Sequence, residues 1–101
     1  MYVVHTTYTA PLEEIDYLLP DHAEWLTRHY LAGHFLASGR CTARTGDVII
    51  ATAMSRERLT VILATDPYVA NHLARYDVVE FQAGRTAPAL IRYNEAVAPT
   101  T

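Results

Sequence analysis

HFLASGRC at residues 34–41 and VIIATA at residues 48–53, separated by TGD at residues 45–47, decide the fold of this chain. Aromatic and β-branched side chains in these two segments are typical of strands. The glycine and aspartate between them favour a reversal of the chain direction. Two strands in direct succession predict a hairpin in the middle of the sequence, and the segments on either side define the fold that surrounds it.

Before this hairpin the sequence predicts one strand and two helical pieces. Residues 2–8 are rich in valine, threonine and tyrosine, as strands are. The apolar positions that follow have a helical period, which Pro20 interrupts because it lacks a backbone donor and crowds the preceding turn. We therefore expect helices at about 11–18 and 20–32, joined by a kink.

After the hairpin the sequence predicts a second helical region and a fourth strand. Ser55 is suited to cap a helix, and Asp66 followed by proline punctuates that helix before it resumes at Tyr68. Residues 75–82 contain the apolar residues of a strand, and residues 84–101 form a tail. The only apolar cluster of that tail consists of Leu90, Ile91 and Tyr93.

The resulting order, β-α-β-β-α-β, is the ferredoxin-like arrangement of the α+β class. We expect a four-stranded antiparallel sheet with two helices on one face. A length of 101 residues fits a single domain over residues 1–101, with a core of about 1–82 and a C-terminal tail at 83–101.

The strand pattern also predicts a homodimer. Each strand carries neighbouring apolar residues, which point to opposite faces of the sheet: Val3 and Val4, Phe35 and Leu36, Ile49 and Ile50, Val78 and Val79. Two helices cover only one face, and the other would be a larger apolar patch than monomers usually expose. A second copy packed through this open sheet face would bury it, and the tail could latch onto that partner.

Composition excludes several classes of function. The net charge is -3, which argues against a nucleic acid or an anionic membrane as partner. All eight basic residues are arginine, so Schiff-base chemistry and a P-loop lysine are excluded. The single cysteine, Cys41, has no partner for a disulfide or a thiolate metal site. No apolar run reaches a membrane span, and residues 1–5 lack the features of a signal peptide, so we expect a cytoplasmic protein without cofactor or metal.

His22 is the first candidate for chemistry. It lies in the first turn of the second helical piece, where the helix dipole disfavours the protonated ring and keeps imidazole available as a base near pH 7. The other interpretation is a satisfied core histidine, because Leu18, Trp25 and Leu26 flank it on the same helical face. His29 is seven helical residues away, roughly 10 Å, and is not expected to share a metal with it.

Asp66 and Ser38 are the other candidate catalytic residues, and each has a plain structural alternative. Asp66 before a proline is a common helix start, but a carboxylate beside an imidazole would fix its tautomer and stabilise its charged form. Ser38 lies near the end of a strand and is either a turn residue or a hydroxyl donor to a substrate. Arg40 and Arg44 bracket the hairpin and could attract an anion, although arginines in turns are usually solvated.

Taken together, these residues resemble the YciI-like (YCII-related) family. The resemblance covers roughly residues 1–82 and rests on an ordered set of segments: Tyr2-Val3-Val4, Asp21-His22-Ala23-Glu24-Trp25-Leu26, Gly33-His34-Phe35-Leu36-Ala37-Ser38-Gly39, the strand from Gly46 to Ala53, and Asp66-Pro67-Tyr68. The resemblance implies a ferredoxin-like fold that forms a dimeric α+β barrel. Many members carry Gly-Pro after the second strand, whereas here Gly39 is followed by Arg40, which leaves any substrate contact from that turn open.

The same resemblance implies an active site that pairs His22 with Asp66, with Ser38 nearby. One member of the family is a dehydrochlorinase acting on a chlorinated hydroxyquinol, which is consistent with acid–base chemistry without a cofactor. We therefore predict a small lyase or isomerase, with Arg40, Trp25 and Tyr68 as candidate substrate-binding residues. Two alternatives stay open: a dimeric module that binds a small ligand or a protein, and cofactor-free oxygenation of an aromatic substrate.

Overall fold

A computed structural model describes residues 1–96 of the chain as one sheet with helices on one side. The last five positions of the predicted tail, 97–101, lie outside the described residues. The elements in order are β1 Tyr2–Tyr8, α1 Leu12–Tyr17, α2 Leu19–Leu31, β2 Phe35–Arg40, β3 Gly46–Ala51, α3 Arg56–Ala64, α4 Pro67–Ala70, β4 Ala74–Glu80 and a 3₁₀ helix at Pro88–Tyr93.

The sheet has the strand order β2-β3-β1-β4, and all neighbouring strands are antiparallel. This order confirms the predicted ferredoxin-like α+β arrangement. Alternate residues of the strands face the helices and form the core with residues from α2 and α3. Its buried members are Tyr2, Val4, Trp25, Phe35, Ile49, Ala51, Leu59, Ile62 and Leu63.

The predicted kink separates α1 from α2. The first helix ends at Tyr17, and the N–H of the next residue, Leu18, donates to the carbonyl of Ile15 at 3.1 Å. Pro20 then occupies the first turn of α2, where a missing N–H leaves no helical hydrogen bond unmade. The break turns α2 so that His22 and Trp25 are its buried residues.

The third strand begins earlier than the sequence pattern indicates. Gly46 and Asp47, expected in a turn, belong to β3 and pair with Thr7 and Thr6 of β1. The strand ends at Ala51 instead of at residue 53. Asp47 therefore projects from the same face as Ile49, toward the helices, and it is buried.

Gly46 is required by the close approach of β1. A Cβ built at this position would lie 1.8 Å from the backbone oxygen of Thr6. Thr6 cannot move away, because β1 is paired with a strand on each side. We expect Gly46→Ala to destabilise the fold by about 1–3 kcal/mol, the usual cost of overpacking, measured as the shift of the urea midpoint. Gly39→Ala is the matched strand control because no atom lies within 4 Å of its Cβ position; equal midpoints for the two variants would contradict this reasoning.

The open face of the sheet carries one apolar row that crosses all four strands. Ala37, Ile50, Val3 and Val79 are consecutive cross-strand partners in this row. Val79 is 61% exposed, and Val3 and Ile50 are half-buried. Toward the other end of the sheet the face is more polar, because His5, Thr7, Arg75 and Asp77 point outward there.

The described part of the tail folds back toward Ala83, shortly after the end of β4. The carboxylate of Glu95 accepts from the backbone N–H of Ala83 at 2.6 Å, and this bond contributes most to lowering the pKa of Glu95. Two apolar residues of the 3₁₀ helix stay exposed, Leu90 at 41% and Ile91 at 56%. The tail therefore presents apolar side chains outward, as a latch onto a second copy would require.

Candidate active site

The structure brings together His22 and Asp66, which lie at the starts of two helices. His22 is 5% exposed in the first turn of α2, and Asp66 is 2% exposed at the start of α4. Nδ1 of His22 lies 3.0 Å from Oδ1 of Asp66. A carboxylate oxygen only accepts hydrogen bonds, so this contact assigns the proton to Nδ1 and leaves Nε2 as the free ring nitrogen.

Asp66 has a second role at the same oxygen. Its Oδ1 also accepts from the backbone N–H of Tyr68 at 3.0 Å, which makes Asp66 the N-cap of α4. The Asp66-Pro67 pair thus begins the helix as its residue types predict. The cap holds the carboxylate in one orientation, and that orientation positions the imidazole.

Two aromatic side chains pack against the His22 ring. Tyr68 stacks on it with ring centroids 4.1 Å apart and an angle of 13° between the planes. Trp25 lies at 5.6 Å and 30°, and its indole N–H donates to Thr65 at 2.9 Å. Trp25 and Tyr68 are fully buried, so in this chain they pack against the imidazole instead of lining the adjoining cavity. Burial raises the pKa of Tyr68 to about 12, which keeps its hydroxyl protonated.

A second carboxylate faces the free nitrogen of His22. Oδ2 of Asp47 lies 3.9 Å from Nε2, and Oδ1 of Asp47 accepts from the Tyr8 hydroxyl at 2.9 Å. The Tyr8 oxygen accepts in turn from Nε of Arg40 at 3.0 Å. Burial raises the pKa of the Asp47 carboxyl, and the Tyr8 hydrogen bond offsets part of that rise.

The predicted substrate-binding arginine is already paired. Nη2 of Arg40 donates to Asp16 of α1 at 2.8 Å, in addition to the bond from Nε to Tyr8. These bonds raise the pKa of Arg40, the Asp16 bond most of all. The side chain borders the cavity beside His22, but its charge is matched by a carboxylate, which weakens its attraction for an anion.

His22 and Asp47 border a cavity of about 210 Å³ between α2 and the β2–β3 hairpin. Its lining residues are Leu19, His22, Leu26, Ser38, Gly39, Arg40, Asp47 and Ile49. The Ser38 hydroxyl hydrogen-bonds the hydroxyl of Tyr30. Ser38 and His22 both line this cavity, whereas Asp66 is not among its lining residues and contacts Nδ1 of the histidine. A larger groove of about 650 Å³ lies against α1, lined by residues other than these.

His29 lies against His34. The guanidinium of Arg58, which only donates, contacts Nε2 of His34 at 3.1 Å. Nδ1 of His34 therefore carries the proton and donates to Nδ1 of His29 at 3.0 Å. This chain of neutral rings joins the end of α2 to the start of β2.

The paired imidazoles predict a loss of stability in mild acid. Burial lowers the pKa of His29 and of His34, and neighbouring positive groups lower both further. A histidine whose pKa is lower in the folded protein than its value of about 6.5 in the unfolded chain contributes its full stabilisation to the fold above pH 6.5. That contribution is lost progressively as the pH falls through the folded-state pKa. Between pH 7 and pH 5 we expect the thermal midpoint of the wild type to fall more steeply than that of His29→Gln. Parallel midpoints would contradict this.

Sequence reasoning missed Asp47, Tyr8 and Tyr30. Asp47 looked like a turn residue, although its spacing of two from Ile49 places both on one face of a strand. Tyr8 was one of seven tyrosines, and no local pattern singled it out. Its partner Asp47 is 39 positions away, so the strand register decides their contact.

The ferredoxin-like sheet, the buried His22–Asp66 pair and the adjoining cavity define a small α+β protein with acid–base groups beside a cavity. A model of the YCII-related domain matches residues 1–82. The chain belongs to the YCII-related family, as the sequence resemblance predicted. The match spans β1 to β4, and so it includes His22, Ser38 and Asp66.

Among solved structures, the chain is similar to 5-chloro-2-hydroxyhydroquinone dehydrochlorinase from Burkholderia phenoliruptrix, solved in complex with 2,5-dihydroxybenzoquinone. The TM-score is 0.67 at 19% identity, over 83% of this chain and 96% of the other. The similarity shows that the fold is shared with an enzyme. A search of curated proteins gave no match.

Residues 1–96 contain neither a membrane-spanning helix nor a metal-binding cluster. No helix in this range is long and apolar enough to cross a membrane. The same range contains no cluster of three or more histidine, cysteine, aspartate or glutamate residues arranged to hold a metal ion.

Proposed function

We propose that this protein is a small enzyme of the lyase or isomerase type that moves protons without a cofactor. The observation that carries the proposal is the 3.0 Å contact between His22 and Asp66 beside a cavity that the histidine lines. With Nδ1 protonated toward Asp66, Nε2 of His22 accepts a proton from the substrate and later returns it. Asp66 orients the ring and stabilises its charged form.

The cavity limits the substrate to a small molecule. A volume of about 210 Å³ suits one six-membered ring, since cavities of about 150 Å³ accommodate benzene. Leu19, Leu26 and Ile49 supply apolar walls, and the Ser38 hydroxyl offers a hydrogen bond to a substrate oxygen. These surroundings favour a hydroxylated aromatic or an enol-forming ring.

A dehydrochlorination illustrates the proposed chemistry. The base removes one proton, the electron pair left behind forms a new double bond, and chloride departs with the electrons of the C–Cl bond. The substrate loses HCl, and no external oxidant or reductant is needed. The fold shared with a dehydrochlorinase supports this reaction type for the present chain.

The functional unit of this proposal is a homodimer. The apolar row across the open sheet face and the exposed Leu90 and Ile91 support packing of one sheet on another. Sheet-to-sheet packing would bury that row and give a closed assembly. The dimer does not change the residues of the His22–Asp66 pair, which lie on the helical side.

The direct test is an assay with 5-chloro-2-hydroxyhydroquinone under anaerobic conditions, following chloride release without added cofactor. Related hydroxyquinols and enolisable ring ketones in D₂O report proton abstraction through deuterium incorporation, read by NMR. We expect release or exchange with the wild type and a loss of both with His22→Ala. Activity of His22→Ala equal to the wild type would overturn the proposal.

A non-catalytic binding module is the second candidate. It is favoured by one observation: His22 is 5% exposed and packs against Tyr68 and Trp25, as a structural histidine would. The same NMR experiment separates the two functions. A binding module would shift its resonances on adding the ring compounds without incorporating deuterium into them.

A further inference from the structure

Asp47 carries a buried oxygen that the fold leaves unused. The residue is 7% exposed, and its Oδ2 has no hydrogen-bond partner among residues 1–96. A buried polar atom without a partner is costly, and native structures seldom keep one without a reason. The other oxygen, Oδ1, accepts from Tyr8 at 2.9 Å, so the carboxylate cannot turn freely.

The support behind Asp47 is a chain of three side chains. Arg40 donates from Nε to the Tyr8 oxygen at 3.0 Å and from Nη2 to Asp16 at 2.8 Å. The arginine is thereby fixed between a strand and a helix, and it fixes Tyr8 in turn. Such a chain orients the carboxylate so that Oδ2 faces His22.

The two facing atoms, Nε2 of His22 and Oδ2 of Asp47, both accept hydrogen bonds and do not bond each other. Nε2 of His22 and Oδ2 of Asp47 are 3.9 Å apart, too far for a direct hydrogen bond. A hydroxyl has one hydrogen to donate, and the charged carboxylate oxygen is the stronger acceptor of the two. Both residues line the cavity, so the hydroxyl of a ligand in it can donate to Oδ2.

The charges around the cavity favour a neutral ligand. Asp47 and Arg40 line it, and Arg40 is paired with Asp16. The carboxylate of Asp66 supports the histidine from behind. A ligand carboxylate placed next to Asp47 would therefore meet an unmatched like charge, whereas a hydroxyl would donate to it.

We propose that Asp47 is the specificity-determining residue of this cavity, accepting a hydrogen bond from a hydroxyl of an uncharged ligand and excluding carboxylates. The inference rests on the proposed function for the location of the substrate site, and it concerns binding only. The inference predicts that uncharged phenols and enols bind in the cavity and that aromatic acids do not.

The test is the affinity of two one-ring probes, catechol and benzoate, by NMR titration. We expect the wild type to prefer catechol, and Asp47→Asn to weaken catechol about 10- to 100-fold, as for loss of a hydrogen bond to a charged group. The asparagine oxygen can still accept from Tyr8, so the fold is kept. Asp77→Asn removes the same charge from the exposed sheet face and should change neither affinity.

A second readout separates ligand contact from a structural role. A ligand hydroxyl that donates to the charged carboxylate lowers its pKa, so Asp47 should titrate at lower pH with catechol than without it. Equal affinities for the two probes, or unchanged catechol affinity in Asp47→Asn, would overturn the inference. So would failure of the wild type to bind catechol. The proposed function is judged separately, by chloride release and deuterium incorporation.

Discussion

Replacing Asp66 with asparagine is expected to lower turnover about 100-fold or more while leaving the fold intact, because general acid–base catalysis contributes about 10²–10⁴-fold. The asparagine oxygen can accept from both the Tyr68 N–H and the His22 Nδ1–H, as the carboxylate does at 3.0 Å. The change therefore keeps the helix cap and removes only the negative charge. Without that charge, the imidazolium formed during proton transfer is less stable.

Asp66→Ala separates the cap from the chemistry. Alanine removes the cap, which costs about 0.5–2 kcal/mol, and leaves the buried His22 Nδ1 without a partner, which costs about 1–3 kcal/mol. We expect a lower urea midpoint together with lost activity, whereas Asp66→Asn loses activity alone. The measurements are chloride release or deuterium incorporation for turnover and urea unfolding for stability.

A matched cap elsewhere provides the control. Ser55 caps α3 by accepting from the backbone N–H of Arg58 at 3.2 Å, away from the cavity. Ser55→Ala should lower stability by about 0.5–2 kcal/mol and leave turnover per folded molecule unchanged. Full turnover by Asp66→Asn would show that Asp66 is only a cap, and the proposed catalytic pair would be wrong.

Replacing Ile50 with glutamate is expected to convert a dimer into a monomer. Light scattering of the wild type at micromolar concentration should give twice the chain mass of 11.3 kDa, and the variant should give 11.3 kDa. Ile50 lies in the apolar row of the open sheet face, between Val3 and Ala37. In a sheet-to-sheet dimer, a carboxylate at this position would be buried without a partner. In a monomer, it would stay partly exposed to water.

The control for this charge is Val61→Glu. Val61 is 67% exposed on α3, on the opposite side of the sheet from the open face. Val61→Glu is the same type of apolar-to-acidic substitution and should leave the mass of the dimer unchanged. A wild-type mass of 11.3 kDa at micromolar concentration would rule out the dimer, and a dimeric Ile50→Glu would place its interface elsewhere.

Much of the fold could be predicted because its signals are local. Pro20 marks the break between α1 and α2, and Ser55 caps α3 as its residue type indicates. The local residue types placed Gly46 and Asp47 in a turn, which was wrong because both residues pair with β1, whereas the strand from Gly46 in the family resemblance has the observed start. Strand pairing between distant segments outweighed the local preference of these two residues.

The site was predictable only in part. His22, Asp66 and Ser38 were named from the sequence, and the family resemblance implied their proximity. Asp47 and its support by Tyr8 were not, because neither residue has a motif of its own. Their contact depends on the register of β1 against β3, in which Thr6 lies opposite Asp47.

The sequence by itself determined the order of strands and helices and the set of side chains available for chemistry. With no lysine and a single cysteine, the chain is left chiefly with histidine and carboxylate groups for proton transfer. Periodicity and caps act within a few residues, which is why these features can be predicted without a structure. Only the tertiary structure decided that His22 meets Asp66, 44 positions away, and faces Asp47 across 3.9 Å. Contacts over such separations depend on strand register and helix packing, which no local segment encodes.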